Sequence, residues 1–435
     1  MSQHDSRLKE PLDAEARKKF GRFVSSGVLF QGGAATVDTA TLVAALVHGL
    51  TGSSFAVGAA AAISRYGWLF SQIFVAYRAQ KRPRRMRYYA VGALGRATGL
   101  GALAALLWFG GGLPVPVTVA AFFLLWTAYC LVGGIVAVPY NDIVARSIPS
   151  SWRSRLLAYR FFGGGILAMI VAGVAHRILG VMPFPLSYAA IFLLGTVLLF
   201  LSSFSFLSAG EKPAPVVKQP AGFGAFLAGG FQVFGSDRRF RAYLYTRWLA
   251  ALVGMAIPFY ILQAKLAEIT LGDVALFFGM QTAGSLVSNP IWGWYGDRRG
   301  KAPLLLPVAI LGALVPILTL GWIGSGLEFR GAALLWFGLV FFVIGVGNNG
   351  DTIAHLGFLM EISPDAERPA YSGYFSLFAA PAALLPMAGG LVAEVISLPA
   401  VFAISLGAAM LQLFLLRRLF AVHRGRQAPP PAESG

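Results

Sequence analysis

A chain of 435 residues that is 57% hydrophobic and only 12% charged carries about half the charge of a soluble globular protein. This composition excludes an ordinary water-soluble fold and leaves no stretch for a separate soluble domain. The formal net charge of +17 would point to nucleic acid in a soluble chain, but its placement along this one excludes that partner.

Taken in order, the chain opens with a polar segment, residues 1–22, followed by no short apolar stretch with a cleavage site. No signal peptide is read there, and the first span is expected to serve as the insertion signal. Apolar runs of the length a bilayer needs, about 20 residues, then recur to residue 416. They are continuous rather than alternating, which predicts helices and not a β-barrel. Spans 1 to 6 are read at about 23–50, 55–77, 88–109, 115–144, 156–179 and 186–207. A polar linker, 208–241, separates them from spans 7 to 12 at about 242–262, 274–295, 302–323, 332–360, 370–396 and 399–416. The apolar middle of the linker, Phe223 to Phe234, is expected to lie as a helix in the membrane interface. The tail, 417–435, is basic and then proline-rich, and is expected to be disordered. The fold expected is therefore all-α: twelve transmembrane helices in two pseudo-symmetric six-helix bundles, 23–207 and 242–416.

Charge fixes the orientation. On one side the alternate loops are basic, as at Arg78 to Arg87 and Arg146 to Arg155, whereas the other side holds only Arg177, Lys265 and Arg330. By the positive-inside rule both termini face the cytoplasm. The setting expected is a bacterial inner membrane, with membrane lipids as partners and no nucleic acid. One cysteine, Cys130, allows no intrachain disulfide.

Between spans 8 and 9 every residue from Gly296 to Lys301 is glycine or charged. A worn copy lies 217 residues earlier, where Leu69, Ser71, Gln72, Lys81, Arg82 and Arg84 stand opposite Leu286, Ser288, Asn289, Arg298, Arg299 and Lys301. A second pair of loops aligns at an offset of 215, with Pro149, Arg153 and Tyr159 against Pro364, Arg368 and Tyr374. Two nearly equal offsets close to half the chain length indicate a duplicated six-span unit. The pattern Gly293-x-x-x-Asp297-Arg298-x-Gly300-Lys301 resembles the signature loop of the major facilitator superfamily of transporters. That resemblance implies parallel halves of six spans, related by an axis along the membrane normal. It also implies a cavity lined by spans 1, 4, 7 and 10, and a cytoplasmic gate at this loop. The gate is expected to use Gly293, Asp297, Arg298, Gly300 and Lys301, with Asp297 latched to Arg298 or to Arg368. The earlier copy has lost the Gly and Asp positions, which hold Ala76 and Gln80. Asp142, near Arg146, is the candidate substitute there.

An ionisable group inside a span costs roughly 2.5–3.5 kcal/mol on insertion scales unless it is paired or wetted. Asp38 in span 1 and Arg65 in span 2 lie at similar depth and are expected to form an ion pair, in which Asp38 exchanges a proton and Arg65 tunes it or binds an anion. Arg96 and Arg247 lie within spans 3 and 7. Span 10 carries Asn348, Asn349, Asp351, Thr352 and His355, a polar stripe expected to face a wet cavity. Gln31, Asp38 and Thr41 form the matching stripe on span 1. Trp126, Tyr129 and Tyr260, on spans 4 and 7, are further candidates to line the cavity.

Gly345-Val-Gly-Asn-Asn-Gly350 matches a dinucleotide fingerprint in letters only, since it lies inside a span with no preceding strand. It is read as a closely packed stretch. Span 5 lacks the proline of the family's antiporter motif, and span 4 lacks the family's arginine. No cofactor, metal or catalytic residue is expected. The function expected is a secondary transporter, monomeric and not an enzyme, that moves a small organic solute by alternating access with proton coupling. A membrane scaffold on a transporter fold, or an integral membrane enzyme, is the alternative.

Overall fold

The computed structural model describes residues 14–79, 83–211, 222–267, 269–299, 302–326, 329–363 and 368–424. No strand occurs among them, and nine helical segments are long and apolar enough to cross a membrane. These are spans 3 to 7 and 9 to 12. Helices at the predicted positions of spans 1, 2 and 8 make the total compatible with twelve.

Eight spans are single helices: Ser54–Ala79, Met86–Phe109, Ser150–Val181, Leu186–Leu207, Leu271–Arg299, Leu305–Ser325, Arg330–Ile362 and Leu398–Arg424 for spans 2, 3, 5, 6, 8, 9, 10 and 12. The other four are broken, and the sequence supplies the reason each time. Span 1 is Ala14–Ala35 and Leu42–Thr51, with residues 36–41 in a turn. Glycines, β-branched threonines and an aspartate that competes for backbone amides cluster there, and all three weaken a helix. Span 7 runs as Arg238–Val253, a 3₁₀ segment Gly254–Phe259 containing Pro258, and Tyr260–Lys265. Span 4 is Val115–Gly134 and Ala137–Ser147, and Pro139 cannot donate to the carbonyl four residues back at the break. Span 11 is Arg368–Ala379, a 3₁₀ turn Pro381–Leu384, and Leu385–Val395. The breaks in spans 1 and 7 correspond at the same 217-residue offset as the signature loop.

The duplication is equally plain in the packing. Span 1 packs on 6, 2 on 4, and 3 on 4 and 6, while 7 packs on 12, 8 on 10, and 9 on 10 and 12. The halves meet where span 2 packs on 11 and span 5 on 8, again symmetry-related pairs. Within the linker, Phe223–Ser236 is helical as expected, and its Phe231 and Phe234 pack on Phe378 of span 11.

Buried residues form three main groups. On the side away from the basic loops one large core draws on both halves, from Leu42 to Val47 and Phe122 to Tyr260, Phe341 and Phe402. On the basic side there are two separate cores. One, around Phe23, Tyr89, Ile143 and Phe206, belongs wholly to the first half, and the other, around Phe240, Tyr243, Trp292 and Phe358, to the second half with its adjoining linker helix. The halves are thus joined on the far side and parted on the basic side.

Candidate functional site

The parting between the halves ends at the centre of the molecule in a cavity of about 630 Å³, floored by Arg65 and Trp68 of span 2, Arg247 of span 7, Asp351 and Thr352 of span 10 and Phe375 of span 11. A smaller recess of about 310 Å³ shares Arg65, Arg247 and Asp351 and continues into the second half past Asn348, Tyr260 and Gln412.

Arg247 and Asp351 form a two-pronged ion pair, Nη1 to Oδ1 at 2.5 Å and Nη2 to Oδ2 at 2.9 Å. Fork-on-fork geometry of this kind fixes both groups as well as pairing them. Arg65, from the other half, makes one long hydrogen bond, donating to the Gly254 carbonyl at 3.3 Å. That acceptor is available because span 7 leaves helical geometry at Gly254. The remaining guanidinium donors of Arg65 are left to the cavity. With two arginines against one carboxylate, the cavity floor carries a net positive charge.

The expected Asp38–Arg65 pair is not formed. Asp38 lies in the break of span 1, where its Oδ1 accepts from the amides of Ala40 and Thr41 at 3.1 and 2.9 Å and from the Thr41 hydroxyl at 2.8 Å. Its Oδ2 accepts from Gln281 Nε2 of span 8 at 3.3 Å. Interrupting a helix inside a bilayer frees amides that no water can satisfy, and this carboxylate takes them up. Similar depth along neighbouring spans did not decide the pairing, because the local amides are closer than Arg65.

The span 10 stripe divides. Asn348 and Thr352 are exposed to the cavity and Asp351 is half-buried at its floor. Asn349 turns instead to span 8 and donates to the Ser285 carbonyl at 3.2 Å. His355 is drawn inside the second half, hydrogen-bonded to the Tyr243 hydroxyl and packed on Phe375 with ring centroids 4.4 Å apart. Gln31 lies against Gly164 of span 5. Trp126 and Tyr129 belong to the far-side core rather than to the cavity: Trp126 donates to the Ala60 carbonyl at 2.9 Å and stacks on Tyr129. Tyr260 is buried against Phe402 but borders the recess. Around the false fingerprint, Gly345 abuts the backbone of Gln281 and Gly350 the ring of Trp292, so this stretch serves close packing of spans 10 and 8.

Of the gate residues, Gly300 and Lys301 lie outside the described residues, as do the side chains of Asp297 and Arg368. Helix 8 runs on to Arg299, so Gly293 sits within a helix with open space beside it, not in a tight turn. Arg298 lies over the ring of Trp294 at 4.9 Å. Asp142 pairs with Arg146, Nε to Oδ2 at 2.9 Å, and with Arg85. Arg146 also reaches Glu211 at 2.8 Å, and Glu211 accepts the amides of Arg85 and Met86 at 2.7 and 2.8 Å. This network ties span 4 to the ends of loop 2–3 and span 6. It stays inside the first half, so it is a clamp within one bundle and not a latch between two.

Contacts between the halves lie on the far side. Glu394 of span 11 accepts from the Ser53 hydroxyl at 2.7 Å and the Phe55 amide at 2.9 Å at the start of span 2. His176 of span 5 meets the Gly272 carbonyl at 2.8 Å.

With this geometry in view, likeness to known proteins can be weighed. The Major Facilitator Superfamily model matches residues 251–435, which is the second half. Over the whole length the chain superposes on solved transporters. A POT family transporter in complex with 5-aminolevulinic acid gives a TM-score of 0.72 at 13% identity, covering 94% of this chain and 96% of that one. The nucleoside transporter NupG gives 0.66 at 13% identity, covering 95% and 100%. The chain has the major facilitator superfamily fold. A bacterial homologue of the iron transporter ferroportin in an outward-facing state shares it at a TM-score of 0.63 and 16% identity, covering 93% and 99%. At such identities the major facilitator likeness is one of fold. No curated protein matches the chain by sequence.

Proposed function

We propose that the chain is a secondary active transporter that moves a small organic solute by alternating access, coupled to protons, with no covalent chemistry. The observation that carries this reading is the distribution of cores, one shared on the far side and two separate on the basic side. Such a molecule has a cavity open to one face, and a mirror-image rearrangement of its two similar halves would open the other. The basic side is assigned to the cytoplasm, which puts both termini there in a bacterial inner membrane. The transporting unit is taken to be the monomer, since its cavity is complete within one chain. Solute entering from that side meets Arg65, Asn348, Asp351 and Thr352. Asp351 is the carboxylate that borders both cavities among the described residues. It is therefore the proton carrier: protonation weakens its pair with Arg247 and frees that guanidinium. Asp38, committed to its helix break, is a poorer carrier than the sequence suggests.

Reconstitution with a pH-sensitive dye inside the vesicles tests this. One class among succinate, glucose, glycine and uridine, added outside, is expected to change the internal pH in a protein-dependent way. Asp351→Asn is expected to lower that coupled proton flux at least tenfold. Folded protein that moves none of these classes, or an Asp351→Asn variant with undiminished proton flux, contradicts the proposal.

A further inference from the structure

A second group of cations, away from the central floor, has no counter-charge. Arg96 of span 3 is 4% exposed, makes no hydrogen bond or ion pair, and its buried Nε has no acceptor. Its guanidinium lies 4.5 Å from the ring of Phe30 on span 1. Arg160 of span 5 reaches the same ring at 5.7 Å and the ring of Tyr140 on span 4 at 4.7 Å, and its Nε is also buried without an acceptor. Gly27 makes room for it, since a methyl group at residue 27 would fall on the Arg160 side chain. The acids nearest in the fold, Asp142 and Glu211, are taken up by Arg85 and Arg146.

Aromatic faces offset part of the cost of burying a cation, but they accept none of the in-plane hydrogen bonds of a guanidinium. Two buried forks that converge on one ring with no carboxylate therefore lack an oxyanion. We infer that Arg96 and Arg160 form an oxyanion site in the first half, and that its occupant is the transported solute, a small organic anion bearing a carboxylate or phosphate group. The inference rests on the transport reading above and narrows its substrate class. Arg160, half-buried, is the member a ligand reaches first, and Arg96 lies behind it. A phospholipid headgroup shares the same chemistry, and the test must separate the two sources.

The test reads binding without flux. The thermal stability of the purified protein is followed with succinate, citrate and inorganic phosphate, with glucose as neutral control, and in nanodiscs with and without phosphatidylglycerol. At least one soluble anion is expected to raise the melting temperature, and its Kd to rise at least tenfold in Arg96→Gln and Arg160→Gln but less in Arg160→Lys. Should the glutamine variants fail to fold, modification of native Arg160 by phenylglyoxal, read by mass spectrometry, is expected to be slowed by the same anion. Response to phosphatidylglycerol alone, equal Kd in the variants, or unprotected Arg160 overturns the assignment. An anion that binds with this dependence but is not transported leaves the site standing and removes the transport reading. Anion flux that is untouched in both glutamine variants does the reverse.

Discussion

Asp38 and Asp351 look alike in the sequence, each a lone carboxylate in a polar stripe, and the structure gives them different work. Asp38 holds a broken backbone together, and Asn can accept the same amide bonds. Asp38→Asn is thus expected to stay close to wild type in melting temperature, while Asp38→Ala should lose on the order of 1 kcal/mol, the worth of a lost cap. Differential scanning fluorimetry of the two variants decides this, and equal destabilisation contradicts it. Asp351 is held by Arg247, with side chains 36% and 17% exposed. Removing one partner of a fully buried pair costs 3–5 kcal/mol, but partial exposure lowers the expectation for Asp351→Asn to about 1–3 kcal/mol. Arg247→Gln combined with Asp351→Asn should recover part of that loss. Purely additive losses would show that the pair does not stabilise the fold. The residues that define the cavity were legible as charges inside spans. Their partners were not, because depth counting cannot tell a neighbouring side chain from a closer set of backbone amides. Gln281 and Glu211, which complete two of these networks, gave no signal beyond being polar.

At the scale of the element, composition and the signature loop announced the spans, and all that the described residues cover are found. What the sequence left hidden is that spans 1, 4, 7 and 11 are broken, since hydropathy averages over a turn while Gly, Pro and Asp act at single positions. Helix ends can be tested directly. Span 8 begins with a reciprocal cap: Asp273 accepts from the Thr270 amide at 2.7 Å and its hydroxyl at 2.8 Å, and from Arg330 Nη2 at 2.9 Å. Burial of Asp273 disfavours its charge, but Thr270 and Arg330 outweigh that and hold its carboxyl below its ordinary value of 3.8. A depressed folded-state pKa stabilises in full above the unfolded value and ceases to do so as pH falls through the folded one. The stability gap between wild type and Asp273→Asn is therefore expected to be full at neutral pH and to close below about pH 3. A gap that does not change with pH would contradict the role given to this carboxylate. Since Asp273 lies at the far-side rim, the cap also anchors span 8 where it meets span 5.

For the whole molecule, the duplicated sequence foretold two equivalent bundles, and the equivalence extends to their helix pairings and to the shared break in spans 1 and 7. Which face is open could not be read from sequence, because that depends on which of two nearly equivalent packings the halves adopt. The account holds that transport requires the far-side seam to part. Ser53 and Glu394 face each other across that seam at 2.7 Å. The double variant Ser53→Cys and Glu394→Cys, oxidised to a disulfide in proteoliposomes, measures this directly. Solute flux is expected to fall to background on oxidation and to return on reduction, with solute binding from the basic side retained throughout. A quantitatively formed crosslink that leaves flux unchanged would contradict the account.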